Sequence, residues 1–298
     1  MVAEMDTEEA TGTQPGYRAW RSDDGIDLSA TLWEPQRKTA VDVLCLAGLS
    51  RNARDFAPLA RYLAGCGHRV IAMDYRGRGR SGRHPDWRSY SIEREGLDID
   101  AGLDALSLSR VAVIGTSRGG LHGMLLAWRA PDRVAGLVLN DIGPQIDRSG
   151  LKRISGEIGR HMRADTWQEA AERLCTGLGS QFPRVDAQGW LRLARQLYVE
   201  TDDGIQLDYD ARLANTLGSF DEDAELPDLW PVFDAIASLP MLAIRGAHSD
   251  ILSAETFSQM KQRSPGLERH TLADEGHAPL LWDPETQGVI ARFLSRLR

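Results

Sequence analysis

Apolar positions along the chain change their spacing several times, and each change marks an element. Ile26, Leu28, Ala30 and Leu32 alternate with more polar neighbours, the two-residue period of a strand covered on one face. With Tyr17–Ser22 before it and the turn Asp23-Asp24-Gly25 between, this predicts a hairpin closing at Trp33. The pattern then becomes continuous. Val41–Leu46, Val70–Met73, Val111–Ile114, Val134–Leu139 and Met241–Ile244 are short apolar runs, suited to parallel strands covered on both faces. Helical spacing falls between them. Phe56, Leu59, Ala60 and Leu63 form one apolar face, and Ile92, Ile99, Leu103 and Leu106 a second. Leu121, Met124, Leu125 and Trp128 form a third, stopped by Pro131. A last helix is capped at Asp283-Pro284-Glu285 and buries Val289, Ile290, Phe293 and Leu297. Strands alternating with helices imply an α/β fold, a mostly parallel central sheet flanked by helices on both sides.

One stretch breaks the rhythm. Between Gln145 and Trp230 there are helical patterns, best at Trp167–Leu174 and Trp190–Tyr198, but no convincing core strand. This reads as an inserted helical cap, and a long insertion at one edge of such a sheet can serve as a lid. The expected organisation is a flexible tail over residues 1–16, a core built from 17–144 and 231–298, and the cap over 145–230. Trp167, Phe182, Trp190, Leu191 and Tyr198 reach a site at the sheet's carboxyl end only if the insertion folds back over it.

Composition narrows the class. Of 298 residues 42% are hydrophobic and 26% charged, which excludes a largely disordered chain. The net charge of −8 argues against nucleic-acid binding, which needs a basic stripe. No apolar run approaches the roughly 20 residues of a membrane span. The acidic, polar N-terminus has no apolar stretch of the kind a secretory signal needs. Three widely spaced cysteines fit a reducing, cytoplasmic setting, with Cys45 and Cys66 expected as core thiols.

The chemistry begins at Gly115-Thr116-Ser117-Arg118-Gly119, directly after one apolar strand and directly before a helix. A turn this tight strains its central residue and needs small neighbours two positions either side, because other backbone passes close. It would lift the Ser117 hydroxyl to the sheet's carboxyl end. Serine needs a base. Of histidines 68, 84, 122, 161, 248, 270 and 277, His277 follows the last strand-like stretch, Glu268–Ala273, beside Gly276. His248 is a lesser candidate, and His122 a packed or surface residue. The base needs a carboxylate. Asp250 follows the strand Met241–Ile244 and gives the chain order Ser, Asp, His. It is the expected acid. Asp141, after Val134–Leu139, is the alternative, otherwise a turn cap where the insertion begins. The arginine-rich stretch 76–83 lacks the Gly-Lys-Ser/Thr ending of a nucleotide loop and reads as a turn with solvated arginines. Arg51 and Arg118 flank the site, either to hold a substrate carboxylate or to pair with nearby acids. No motif suggests zinc or another metal.

These features together resemble the α/β-hydrolase superfamily, in its branch with a helical cap. The resemblance spans about residues 17–298. It rests on the turn at Ser117, on Asp74-Tyr75-Arg76-Gly77-Arg78-Gly79-Arg80-Ser81-Gly82, and on Gly276-His277. It implies a Ser-Asp-His triad, no cofactor, and an oxyanion hole from the backbone amides of Leu49 and Arg118. Ala47 stands where the family often has histidine. The expected activity is hydrolysis of a small carboxylic ester or lactone through an acyl-enzyme, by a monomer or homodimer with a small-molecule substrate. Carbon–carbon hydrolases, amidases and thioesterases share the scaffold, as does a ligand receptor with slow or no turnover. Haloalkane dehalogenases and epoxide hydrolases are disfavoured, since that resemblance would put aspartate at position 117.

Overall fold

A computed structural model describes residues 14–160, 162–218 and 226–297. Thirteen residues of the expected tail, 1–13, and His161 lie outside the described residues. The hairpin is β1 (Gly16–Arg21) and β2 (Asp27–Trp33), in antiparallel register from Gly16 opposite Leu32 to Arg21 opposite Asp27. There follow β3 (Asp42–Leu46), α1 (Ala57–Gly65), β4 (Val70–Asp74), α2 (Ile92–Ala105), β5 (Val111–Thr116), α3 (Arg118–Arg129) and β6 (Val134–Asn140). After β6 the chain leaves the sheet through α4 (Arg148–Glu157), β7 (Arg163–Ala164), α5 (Trp167–Leu178), α6 (Ala187–Leu197), β8 (Tyr198–Thr201) and β9 (Gly204–Leu207). It returns with α7 (Trp230–Ala235), β10 (Met241–Gly246), α8 (Ala254–Arg263), β11 (Glu268–Leu272) and α9 (Pro284–Leu294).

The sheet order is β1-β2-β4-β3-β5-β6-β10-β11. Every pair from β4 to β11 is parallel, so their carboxyl ends share one edge. Both faces are covered, which is why β3, β4 and β6 are buried at every residue. The inserted segment also holds a small antiparallel sheet, β7-β9-β8, which apolar periodicity did not reveal. Its strands are two to four residues long, too short to show a period.

Helix α3 buries a different face from the expected one. Trp128 is 54% exposed, while Gly119, Gly120, His122, Gly123, Met124, Leu126 and Ala127 face inward. Glycines set this face by letting the helix lie on the sheet. A Cβ on Gly119 would sit 1.9 Å from the Leu46 carbonyl oxygen, and one on Gly123 would sit 2.6 Å from Leu137. Cys45 is buried, as expected of a core thiol, but Cys66 is exposed.

The arginine-rich loop is not solvated at its centre. Arg76 and Arg78 are buried completely or nearly so. Arg76 forks onto Asp98 at 2.6 and 2.7 Å and also meets Asp24. Arg78 donates to Glu95 at 2.7 Å, and Glu95 in turn accepts from Arg118 at 2.6 Å and His122 at 3.0 Å. The two arginines hold the Glu95 carboxyl well below its usual range, against the opposing effect of burial. Burial pushes the His122 imidazole down, so it is the neutral ring's Nε2–H that donates. A folded-state value below the unfolded 4.5 means Glu95 stabilises the fold above about pH 4.5 and loses that effect as pH falls. Glu95→Gln should destabilise the protein by about 3–5 kcal/mol at pH 7, since it takes the paired charge from the buried Arg78 and the half-buried Arg118. Urea denaturation at pH 7 checks this. A loss under about 1 kcal/mol would mean that the arginines find other partners.

Candidate active site

Ser117 sits between β5 and α3 with φ 52° and ψ −118°, a strained conformation for a residue with a side chain. The strain is imposed from both sides. A Cβ on Gly115 would lie 2.4 Å from the backbone of Gly119, so only glycine lets the chain fold back this tightly. The Ser117 amide donates to the Asn140 carbonyl at 2.9 Å, which ties the turn to the end of β6.

His277 comes from the loop after β11. Its Nε2 lies 2.9 Å from Ser117 Oγ, and its Nδ1 lies 2.8 Å from Asp141 Oδ2. The carboxylate in contact with His277 is therefore Asp141, and the expectation that Asp250 would occupy this place is corrected. Asp141 stands one residue past β6, with φ 56°, and is fully buried. Its Oδ1 accepts from the Gly246 amide at 2.9 Å and its Oδ2 from the Ser249 hydroxyl at 2.5 Å. Two donors aim the carboxylate at the imidazole. Because a carboxylate only accepts, Nδ1 carries the proton and Nε2 is free to take one from Ser117.

Asp250 is occupied elsewhere. Arg153 of α4 forks onto it at 2.6 and 2.9 Å, and Gln181 Nε2 donates to it at 3.3 Å. Gln181 Oε1 accepts from the His277 amide at 3.0 Å. Neither residue drew notice in the sequence. Arg153 is 97 positions from Asp250, and nothing local in the sequence announces such a pairing. His248 is exposed and donates only its amide, to the Glu275 carbonyl. His122 is buried beside Glu95, away from Ser117's base.

The amides of Leu49 and Arg118 donate to nothing among the described residues. Arg118 opens α3, where the first amides have no partner within the helix. Leu49 borders the cavity with Gly48 and Ser117, and its carbonyl is pinned by Arg78 Nε at 2.8 Å. Both amides are thus open donors beside the hydroxyl, able to meet a developing oxyanion. The two flanking arginines pair with acids: Arg51 with Asp55 at 2.6 Å, and Arg118 with Glu95.

The cavity over Ser117 has a volume of about 290 Å³. Its far wall comes from the inserted segment, with Ile154, Ile158, Leu174, Leu178, Tyr198 and Tyr209. Of the five insertion side chains singled out in the sequence, Trp167, Phe182, Trp190, Leu191 and Tyr198, Tyr198 alone borders it. Phe182 and Trp190 pack against each other inside the insertion, their rings 6.5 Å apart. Among the described residues no group of three or more His, Cys, Asp or Glu side chains is placed to hold a metal ion, and no helix is long and apolar enough to cross a membrane.

A family model described as the alpha/beta hydrolase fold matches residues 43–284. A crystal structure of an alpha/beta hydrolase from Novosphingobium aromaticivorans is 42% identical, covering 95% of this chain and 98% of its own, with a TM-score of 0.88. A 3-hydroxybutyrate-oligomer hydrolase from Cupriavidus necator is 34% identical over 260 residues, 85% of this chain and 88% of that protein. A 2-(acetamidomethylene)succinate hydrolase from Mesorhizobium japonicum is 25% identical over 226 residues, 76% of this chain and 77% of that protein.

The histidine loop carries a testable charge. Burial, reinforced by Asp283 and Asp141, pushes the Glu275 carboxyl up to about 7, although its side chain accepts from the Leu280 amide at 2.8 Å. The folded value lies above the unfolded 4.5, so folding favours the protonated form and stability falls as pH rises from about 4.5 to 7. Glu275→Gln keeps an acceptor and removes the charge. It should raise stability at pH 8 by up to about 3 kcal/mol and change little at pH 4.5. Equal effects at both pH values in urea titrations would contradict this.

Proposed function

The chain belongs to the α/β-hydrolase family, and we propose that it cleaves small carboxylic esters or lactones through an acyl-enzyme on Ser117. The observation that carries this reading is the line Asp141–His277–Ser117, with contacts of 2.8 and 2.9 Å, opening onto a largely apolar cavity. His277 Nε2 takes the hydroxyl proton as Ser117 Oγ attacks the carbonyl carbon. The amides of Leu49 and Arg118 hold the oxyanion. His277 then gives the proton to the departing alkoxide as the carbon–oxygen bond breaks. Water, activated by the same imidazole, attacks the acyl carbon and frees Ser117. Asp141 keeps the ring in the tautomer that leaves Nε2 unprotonated, and offsets its charge when it carries both protons. An ester also suits the Cupriavidus relative's name, because an oligomer of a hydroxy acid is joined through ester bonds.

Ser117→Ala should abolish labelling by a fluorophosphonate and lower kcat at least about a thousandfold. Asp141→Asn should cost about 10⁴ in kcat, whereas Asp250→Asn should cost less than about tenfold. The comparison is made on an aryl acetate, with a lactone, a thioester, a vinylogous diketone and a 3-hydroxybutyrate dimer in the same panel. If Asp250→Asn proves the more damaging, Asp141 is not the acid. If only the diketone turns over, the bond is carbon–carbon and the ester reading fails.

The cavity wall generates a second expectation. Tyr198 touches the part of a substrate remote from the carbonyl, so Tyr198→Ala should alter selectivity and leave the shared chemistry intact. The kcat/KM ratio between a bulky aryl ester and the acetate should move about tenfold, against less than about twofold for Phe182→Ala in a folded protein. Equal ratios in the two variants would remove the insertion from substrate recognition.

A further inference from the structure

A second cavity, of about 460 Å³, lies where α1 and the segment before it meet α6. Five arginines border it: Arg54, Arg61 and Arg80 from the core, Arg192 and Arg195 from α6. Asp74 is the lone carboxylate on its walls, and it is already taken by the amides of Ala53 at 2.7 Å and Arg80 at 3.1 Å. In a chain with a net charge of −8 this is a sharp local reversal.

Three of the five are engaged, one with a carboxylate and two over aromatic rings. Arg54 holds Asp208 at 2.6 Å and the Gln196 carbonyl at 3.0 Å, and Arg192 lies 4.4 Å over the Trp282 ring. Arg61, Arg80 and Arg195 hold no carboxylate among the described residues, and Arg80 is stacked 3.9 Å over Tyr17. Guanidinium groups bordering one cavity repel each other, and among the described residues Arg61, Arg80 and Arg195 meet no carboxylate that would offset their charge. Forked donors on two facing walls offer more contacts than the two oxygens of a carboxylate can accept. They match phosphate oxygens. The volume is that of a small-molecule site. The chain's overall negative charge opposes an extended polyanion.

We propose that this cleft binds a small molecule bearing two or more phosphate groups, held between Arg61 and Arg80 on the core and Arg195 on α6. Such a ligand ties α6 to α1. Gln196 borders this cleft and the Ser117 cavity alike, so the ligand braces the wall that separates them. The site uses no residue of the Ser117 machinery and stands or falls apart from it.

The test is thermal unfolding of the full chain with 1 mM pyrophosphate or ADP, at ionic strength held constant with sodium chloride. The expected result is a rise in Tm of about 2–4 °C with at least one of them, the larger response naming bare or organic phosphate as the source. The double variant Arg61→Gln, Arg195→Gln should lose most of that rise. It should keep its own Tm and, within about twofold, its rate on an aryl acetate, because neither arginine borders the Ser117 cavity. Isothermal titration of pyrophosphate into both proteins reads the same difference without heating. A rise reproduced by chloride alone, an equal rise in the double variant, or a response confined to poly-glutamate would overturn the proposal.

Discussion

Glu95 carries a negative charge into a place without solvent, and the site's geometry hangs on what surrounds it. Its two oxygens divide the work. One holds Arg78, whose Nε in turn fixes the Leu49 carbonyl in the loop before Ser50. The other holds Arg118 and His122, on the first turns of α3. One side chain thereby holds both the loop carrying Leu49 and the start of α3 beside Ser117. Burying a carboxylate costs several kcal/mol, and removing any one partner would leave an uncompensated charge. The arrangement is stable only when complete, which makes it rigid. Rigidity suits the oxyanion role proposed for the Leu49 and Arg118 amides, because reorganising donors during reaction would raise the barrier.

The loop carrying His277 is held between two bodies. On the core side Asn140 donates to the Pro279 carbonyl at 2.9 Å. On the other, Leu280 and Trp282 pack into the apolar cluster formed by α5, α6 and their neighbours. Gln181 bonds the His277 amide and reaches Asp250, which Arg153 also clasps. The inserted segment is also stitched to the core near α1 and the arginine-rich loop, through Arg54 to Asp208 and through the Asp210 amide to the Gly77 carbonyl. The cavity wall and the loop carrying His277 thus share a support, so a change in the wall reaches the histidine through packing.

Much of this was legible in the sequence, and the failures have physical causes. Continuous apolar runs marked β3, β4, β5, β6 and β10, because strands covered on both faces have no polar side to show. The turn at Ser117 was legible because its glycines are demanded by backbone contact at 2.4 Å and below. The same property hid the inner face of α3, where glycines pack against the sheet and hydropathy scores nothing. Arg76 and Arg78 looked solvated because their partners, Asp98 and Glu95, lie 22 and 17 positions away on another element. Burial of charge is a pairwise matter and has no signature in one residue.

The exchange of Asp141 for Asp250 shows the limit most clearly. Both stand just beyond adjacent parallel strands, β6 and β10, on the edge where Ser117 emerges. Chain order admits either, since both fall between Ser117 and His277. What separates them is the identity of the neighbouring donors. Asp141 is met by an amide, a hydroxyl and the imidazole, and among the described residues no guanidinium or ammonium pairs with it. Asp250 is met by a guanidinium that neutralises it. A carboxylate already paired with arginine gains little by facing an imidazolium, whereas one held by neutral donors keeps its charge for the ring. The insertion supplies the Arg153 that occupies Asp250, and Asp141 is the carboxylate left in contact with the histidine.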